Sequence, residues 1–231
     1  MARYDLTLNP MEETRYLKKH RELALSLTKQ VHFSFEEVEA LLIIYYKIQK
    51  YDTYDPKGIT RDVLMEIFHC CLDMTDMEKV IRIITCLDEK ARDVYISKEL
   101  WVTLLSLFLR GTLEEKMAFC FKVYDYTGNG MLMKENLFKL MVGSLKSNIS
   151  EMDAEEAVKD MVEVILKRMD ADRDGKISFN DYRHNVLRQP ALLEFLGQCL
   201  PDRHTVHKFL CTFTGNTKIR FYKLKLGTSI M

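Results

Sequence analysis

The stretch DADRDGKISFND, Asp170 to Asp181, places Asp170, Asp172 and Asp174 at alternate positions, then Gly175, and ends on a further carboxylate at Asp181. Carboxylates alternating through a turn converge on one point, and a set of charged hard oxygens is what Ca²⁺ or Mg²⁺ requires. Lys176 would add its backbone carbonyl and Ser178 a hydroxyl acting through water, while Ile177 between them is apolar. An Asp-rich turn capping the next helix would explain the carboxylates, but not Gly175 and Ile177 in register with them. The candidate metal positions are therefore Asp170, Asp172, Asp174, Lys176 and Asp181. Asp181 is one methylene shorter than the glutamate that usually closes such a loop, so bidentate closure requires tightening. Ca²⁺ is the expected ion, at reduced affinity, with the smaller Mg²⁺ an alternative occupant of the same site.

These positions follow the EF-hand pattern of oxygens at 1, 3, 5, 7, 9 and 12 with glycine at 6. Position 8, Ile177, predicts a short two-stranded pairing with a neighbouring loop. Counting back from it finds equivalent apolar residues at Leu132, Ile96 and Ile59, at intervals of 45, 36 and 37 residues. That spacing suits four helix–loop–helix units stacked as two pairs. The longest interval holds KSNISEMDAEEA, Lys146–Ala157, read as an extended connector inside the second pair. Helical periodicity supports the frame: Met117, Cys120, Phe121 and Tyr124 recur at i, i+3, i+4 and i+7, as do Val162, Ile165, Leu166 and Met169. Capping boxes are predicted at Ser34 with Glu37, Thr75 with Glu78, and Thr112 with Glu115. The fold class is all-α: a two-lobed EF-hand protein with mostly degenerate loops and a C-terminal extension. Its expected divisions are an N-terminal helical extension (1–33), a first lobe (34–111), a second lobe (112–190), and a C-terminal helix with a basic tail (191–231).

Ligand counting separates the loops. The third, Asp125 to Asn136, keeps Asp125, Thr127, Asn129 and Gly130 but has Met133 at position 9 and Asn136 at position 12. One formal negative charge leaves the desolvation of a dication largely uncompensated, so its shape should survive with weak or no binding. The second would run from Glu89 to Leu100 and the first from Asp52 to Val63. Neither keeps the glycine or the closing carboxylate, and both read as structural.

The chain has 231 residues, with 34 basic and 34 acidic side chains, a balance that argues against nucleic acid or another polyanion as partner. Residues 151–181 nevertheless hold ten acidic and five basic side chains, and residues 201–231 one acidic and six basic. Six cysteines lack a CxxC pair and no signal peptide is visible, which predicts a reduced intracellular protein. ALLIIYY, Ala40–Tyr46, is too short to span a membrane, and MARYDLTL lacks the glycine that N-myristoylation needs. No nucleophile elbow, HExxH, kinase signature or phosphate-binding glycine loop occurs, so catalysis is not expected.

Three stretches carry a narrower likeness: LSLFLRGTLEEKMAFCFKVYD (Leu105–Asp125), ILKRMDADRDGKISFNDY (Ile165–Tyr182) and GQCLPD (Gly197–Asp202). The chain resembles the calaxin family from roughly Ser34 to Asp202. These are ciliary EF-hand proteins related to the neuronal calcium sensors. The resemblance implies a place in the axoneme of a cilium or flagellum, on doublet microtubules with the outer dynein arm, adjusting dynein with calcium. The partners it implies are the coiled coils of the docking complex, dynein or tubulin. The loops with which that family binds calcium map onto the second and third loops, where Leu100 and Asn136 replace the closing carboxylate. The residues after Asp202 depart from the family.

Other signals bear on partners. Of 13 methionines, seven lie between Met117 and Met169. Met117 and Met169 fall on periodic core faces, whereas Met131, Met133 and Met141 are candidates for a partner groove. The tail TKIRFYKLKLGTSIM, Thr217–Met231, alternates basic with aromatic and aliphatic residues, which suits either an acidic partner or a frayed end. Cys199, His204, His207 and Cys211 match no zinc spacing and read as a solvated helix face. Besides an axonemal subunit, the sequence allows a soluble calcium sensor that captures an amphipathic helix.

Overall fold

The computed structural model describes residues 8–50, 58–87, 95–125, 127–145 and 151–214. Along the chain run α1 (Pro10–Lys19), α2 (Arg21–Thr28), α3 (Phe35–Ile48), β1 (Ile59–Thr60), α4 (Arg61–Leu72), α5 (Met77–Leu87), β2 (Tyr95–Ile96) and α6 (Lys98–Arg110). Then follow α7 (Leu113–Tyr124), β3 (Met131–Leu132), α8 (Lys134–Leu145), α9 (Glu151–Met169), β4 (Ile177–Ser178), α10 (Phe179–Arg188), a 3-10 turn (Pro190–Glu194) and α11 (Arg203–Cys211). The strands pair antiparallel, β1 with β2 and β3 with β4, with Ile59 opposite Ile96 and Leu132 opposite Ile177. All four apolar position-8 residues are fully buried, so the repeat spacing and the loop pairing predicted from it are those observed. Among the described residues no helix is long and apolar enough to cross a membrane.

The chain folds as two compact units, one of residues 112–200 and the other of the residues before and after them. In the first unit the apolar run of α3 becomes core: Leu41, Leu42 and Tyr45 are fully buried, with Leu64, Phe68 and Leu72 of α4 and Trp101 and Phe108 of α6. Each such side chain contributes roughly 1.5–3 kcal/mol through removal from water. Trp101 donates its indole N–H to the Leu41 carbonyl at 3.1 Å. The Tyr45 hydroxyl donates to the Ile96 carbonyl at 2.6 Å and accepts from the Ile59 N–H at 3.2 Å, tying α3 to both strands. A Cβ on Gly58 would lie 2.8 Å from that hydroxyl, so the close approach requires glycine. Arg110 closes the unit by pairing both guanidinium nitrogens with the Glu37 carboxylate, at 2.6 and 2.8 Å, beneath the Ser34–Glu37 capping box.

The second unit is centred on Met117, Cys120 and Tyr124 of α7, Val158, Val162 and Met169 of α9, and Tyr182 and Val186 of α10, all buried. Ile165 and Leu166, on the same predicted stripe, are half-buried. Met141 is buried rather than presented to a partner, whereas Met131 is exposed.

Three boundaries differ from the expectations. Residues 151–157, read as part of an extended connector, form the start of α9; Glu and Ala are good helix formers. The predicted Thr75 cap moves one residue on, where the Asp76 side chain accepts from the Lys79 N–H at 3.2 Å. Residues 191–200, grouped by sequence with the C-terminal region, pack in the second unit. There Tyr182 donates to the Leu193 carbonyl and Tyr124 to the Gly197 carbonyl, while the Glu194 carboxylate accepts from the N–H groups of Cys199 and Leu200.

After Pro201 the chain joins the first unit, where α11 packs on α4 and α6. Phe213 meets Phe33 edge-on at 5.9 Å, and Thr205 and Thr214 are buried. Cys199 therefore belongs to one unit and His204, His207 and Cys211 to the other.

Candidate metal centre

The loop after α9 begins where helical bonding stops: the Asp170 N–H still reaches the Leu166 carbonyl at 2.9 Å, then the backbone turns. Arg173 and Gly175 take positive φ, 62° and 83°. Gly175 tolerates that conformation freely, whereas Arg173 adopts it at some cost. The turn directs N–H groups at the first carboxylate. Asp170 Oδ1 accepts from Arg173 N at 2.7 Å and Asp174 N at 3.2 Å, and Oδ2 accepts from Gly175 N at 2.8 Å. Asp172 Oδ1 accepts from Asp174 N, and Asp174 Oδ1 from Lys176 N at 2.9 Å.

The outcome is a cluster in which oxygens of Asp170, Asp172 and Asp174 lie within 4.8 Å of one another. Its electrostatics suit a cation. Desolvation works to raise the Asp170 pKa, but the Gly175 and Arg173 N–H groups together overcome it and hold the carboxyl below its usual range. At Asp172 the Asp174 N–H pulls the other way, yet desolvation and the charges of Asp174 and Asp181 prevail and leave its carboxyl raised. Crowded anions, one of them pushed toward protonation, are the arrangement that a dication relieves.

Asp181 is placed differently from the other three. It is 7% exposed, and its Oδ2 accepts from both the N–H and the hydroxyl of Ser178, while Ser178 Oγ accepts from the Asp181 N–H. Asp181 thus completes a capping box on α10, and Ser178 is its N-cap. A hydroxyl N-cap without the returning carboxylate stands at the same loop position elsewhere: Thr60 caps α4 by accepting from Val63 N, and Ser97 caps α6 by accepting from Leu100 N. These position-9 caps were missed in the sequence, although a hydroxyl three residues before the loop end is itself the signal.

The third loop reproduces the turn without the charge. Asp125 Oδ1 accepts from Gly128 N at 3.0 Å and Oδ2 from Gly130 N at 2.6 Å, the same offsets as in the fourth loop. Asn129 Oδ1 accepts from Met131 N. At the closing position Asn136 is buried, with its Nδ2 lacking a hydrogen-bond partner among the described residues. A single carboxylate among neutral hydroxyl and amide oxygens does not fit a dication; the three clustered carboxylates of the fourth loop do. The early parts of the first and second loops, within Asp52–Val63 and Glu89–Leu100, lie outside the described residues, as does the tail Thr217–Met231.

Paired helix–loop–helix units with an acidic loop define the calcium-binding EF-hand class, and residues 114–187 match the family model of an EF-hand domain pair. Among curated relatives, calaxin of Bos taurus is 42% identical over 196 residues, covering 83% of this chain and 92% of that protein. Calaxin of Homo sapiens is 39% identical over 197 residues, with the same coverage. Guanylyl cyclase-activating protein 1 of Lithobates pipiens is 30% identical over 118 residues, half of this chain and 56% of that protein. The chain belongs to the calaxin family.

Proposed function

We propose that this protein is a structural and regulatory subunit of the ciliary or flagellar axoneme, holding one ion in its fourth loop. Its place, on this reading, is the outer dynein arm or its docking complex on doublet microtubules. Its contacts would be docking-complex coiled coils, dynein or tubulin. Family membership supports the location. The observation that carries the blunted ion response is that the third and fourth loops share a turn while only the fourth gathers three carboxylates.

Asp170, Asp172 and Asp174 would hold the ion through side chains and Lys176 through its carbonyl, with Asp181 closing the sphere. The ion supplies charge compensation that fixes the loop between α9 and α10. Ca²⁺ fits by class, and the short closing side chain admits Mg²⁺. Titration calorimetry on the whole chain tests this. Asp170→Ala should abolish most calcium heat, because it removes both a ligand and the acceptor of three loop N–H groups. Undiminished binding in that variant would show that the ion sits elsewhere.

A calcium sensor that captures a partner helix is the second reading, favoured by exposed apolar residues on the second unit, Met161 and Val164, the latter 65% exposed. Against it, α11 already covers part of α4 and α6 in the first unit. Imaging decides between them: signal along the axoneme of motile cilia is expected, and a diffuse cytosolic signal would favour the sensor.

A further inference from the structure

Away from the ion loop, the first unit contains a polar pocket of about 350 Å³ where α1, α3 and the start of α6 meet. Three cations line it, Arg15 and Lys19 one helical turn apart on α1 and Lys98 on α6, beside the imidazole of His20. Among the described residues the carboxylate in that lining is Glu12, already satisfied by Lys50 Nζ at 2.8 Å and by the Tyr46 hydroxyl at 2.8 Å. Among the described residues Arg15, Lys19 and Lys98 form no ion pair; Lys98 only approaches the Tyr45 ring, at 5.4 Å.

The second observation is Tyr16, which also lines the pocket. It is 9% exposed, and among the described residues its buried hydroxyl has no hydrogen-bond partner. The ring is fixed, stacked on Tyr46 at 4.3 Å and against His20 at 4.1 Å. Burying a hydroxyl unpaired costs about 1–3 kcal/mol, a penalty that a bound acceptor would remove. His20 directs Nδ1 to the Tyr16 carbonyl at 3.0 Å. Burial first, and then the charges of Lys98 and Lys19, keep its pKa low against the pull of that carbonyl and of Glu99.

We propose that this pocket binds a phosphate group, with Arg15, Lys19 and Lys98 supplying charge and the Tyr16 hydroxyl a directed hydrogen bond. A phosphate monoester carries about −1.5 to −2 at neutral pH and three acceptor oxygens. It can therefore answer several cations from two helices together with a neutral donor, which a single carboxylate cannot. The group would come either from a free phosphate compound or from a phosphorylated side chain of a partner protein.

The test is NMR titration of the full chain at constant ionic strength, in magnesium buffer without calcium, following backbone amides and the His20 ring. The probes are inorganic phosphate, a phosphoserine tripeptide and the matching glutamate tripeptide. Saturable shifts at α1, Lys98 and His20 are expected with phosphate and not with chloride. Tyr16→Phe should weaken binding roughly fivefold, one neutral hydrogen bond, and Lys19→Gln with Lys98→Gln should abolish it. Lys19→Arg should retain it, and thermal unfolding of each variant checks folding. Tighter binding of the phosphoserine peptide than of inorganic phosphate identifies a partner protein as the source, and the reverse order a free compound. Shifts matched by chloride, equal binding of the glutamate peptide, or indifference to both the Phe and the double Gln variant would overturn the proposal.

Discussion

Asp181 occupies the third position of α10 and the closing position of the ion loop, so one short carboxylate serves two demands. In the structure its Oδ2 is committed to Ser178. Glutamate can form the same capping box while its extra methylene extends toward the Asp170–Asp172–Asp174 cluster. Asp181→Glu should therefore tighten calcium about tenfold, some 1.4 kcal/mol, with little change in unfolding by urea; calorimetry reads the first and circular dichroism the second. A second carboxylate, Glu37, sets an acid limit on the first unit. Burial tends to raise its pKa, but hydrogen bonds from Arg110 and Ser34 outweigh burial and leave it lowered. A lowered folded pKa means stability that is present above the unfolded value, about 4.3, and is lost as pH falls through the folded one. Glu37→Gln should cost about 1.5 kcal/mol at pH 7, with the difference from wild type fading below about pH 4 in urea titrations. The turn that gathers Asp170, Asp172 and Asp174 was legible because its residues are local in sequence. The pairing of Glu37 with Arg110 was not, because it joins residues 73 apart in the chain.

At the level of elements, caps decide where helices begin. Thr75 and Asp76 stand side by side before α5, and only Asp76 bonds the helix, through its side chain to Lys79 N and by an ion pair with Lys79 Nζ at 3.0 Å. Asp76→Ala should cost about 1 kcal/mol in urea unfolding and Thr75→Ala only a few tenths; equal costs would mean that α5 starts a residue earlier. Adjacent capping residues look alike in sequence because backbone φ and ψ, not composition, choose between them. The strand pairings were legible for the opposite reason. Ile59, Ile96, Leu132 and Ile177 recur at one loop position, and burial in pairs is the way open to such short strands to hide them. The start of α9 was missed because SNISEMD mixes turn-favouring and helix-favouring residues, and packing on α8 resolves the conflict.

For the molecule as a whole, the two-lobed plan could be read from repeat spacing, whereas the course of the chain after Leu200 could not. Residues 203–211 are amphipathic whichever unit they join, and only tertiary packing assigns them to α4 and α6. Removing residues 201–231 should speed amide hydrogen exchange in α4 and α6 at least tenfold, about 1.4 kcal/mol of local opening, while leaving α7 and α10 protected.

The return of α11 also imposes an order on biosynthesis. A nascent chain emerging from the ribosome presents residues 8–111 first, yet their complement of contacts includes residues made last. The later-made unit, continuous in sequence, can finish folding before the earlier one, and once compact it shortens the loop that must close to seat α11. A released chain ending just short of residue 203 would carry a complete second unit tethered to an unfinished first one.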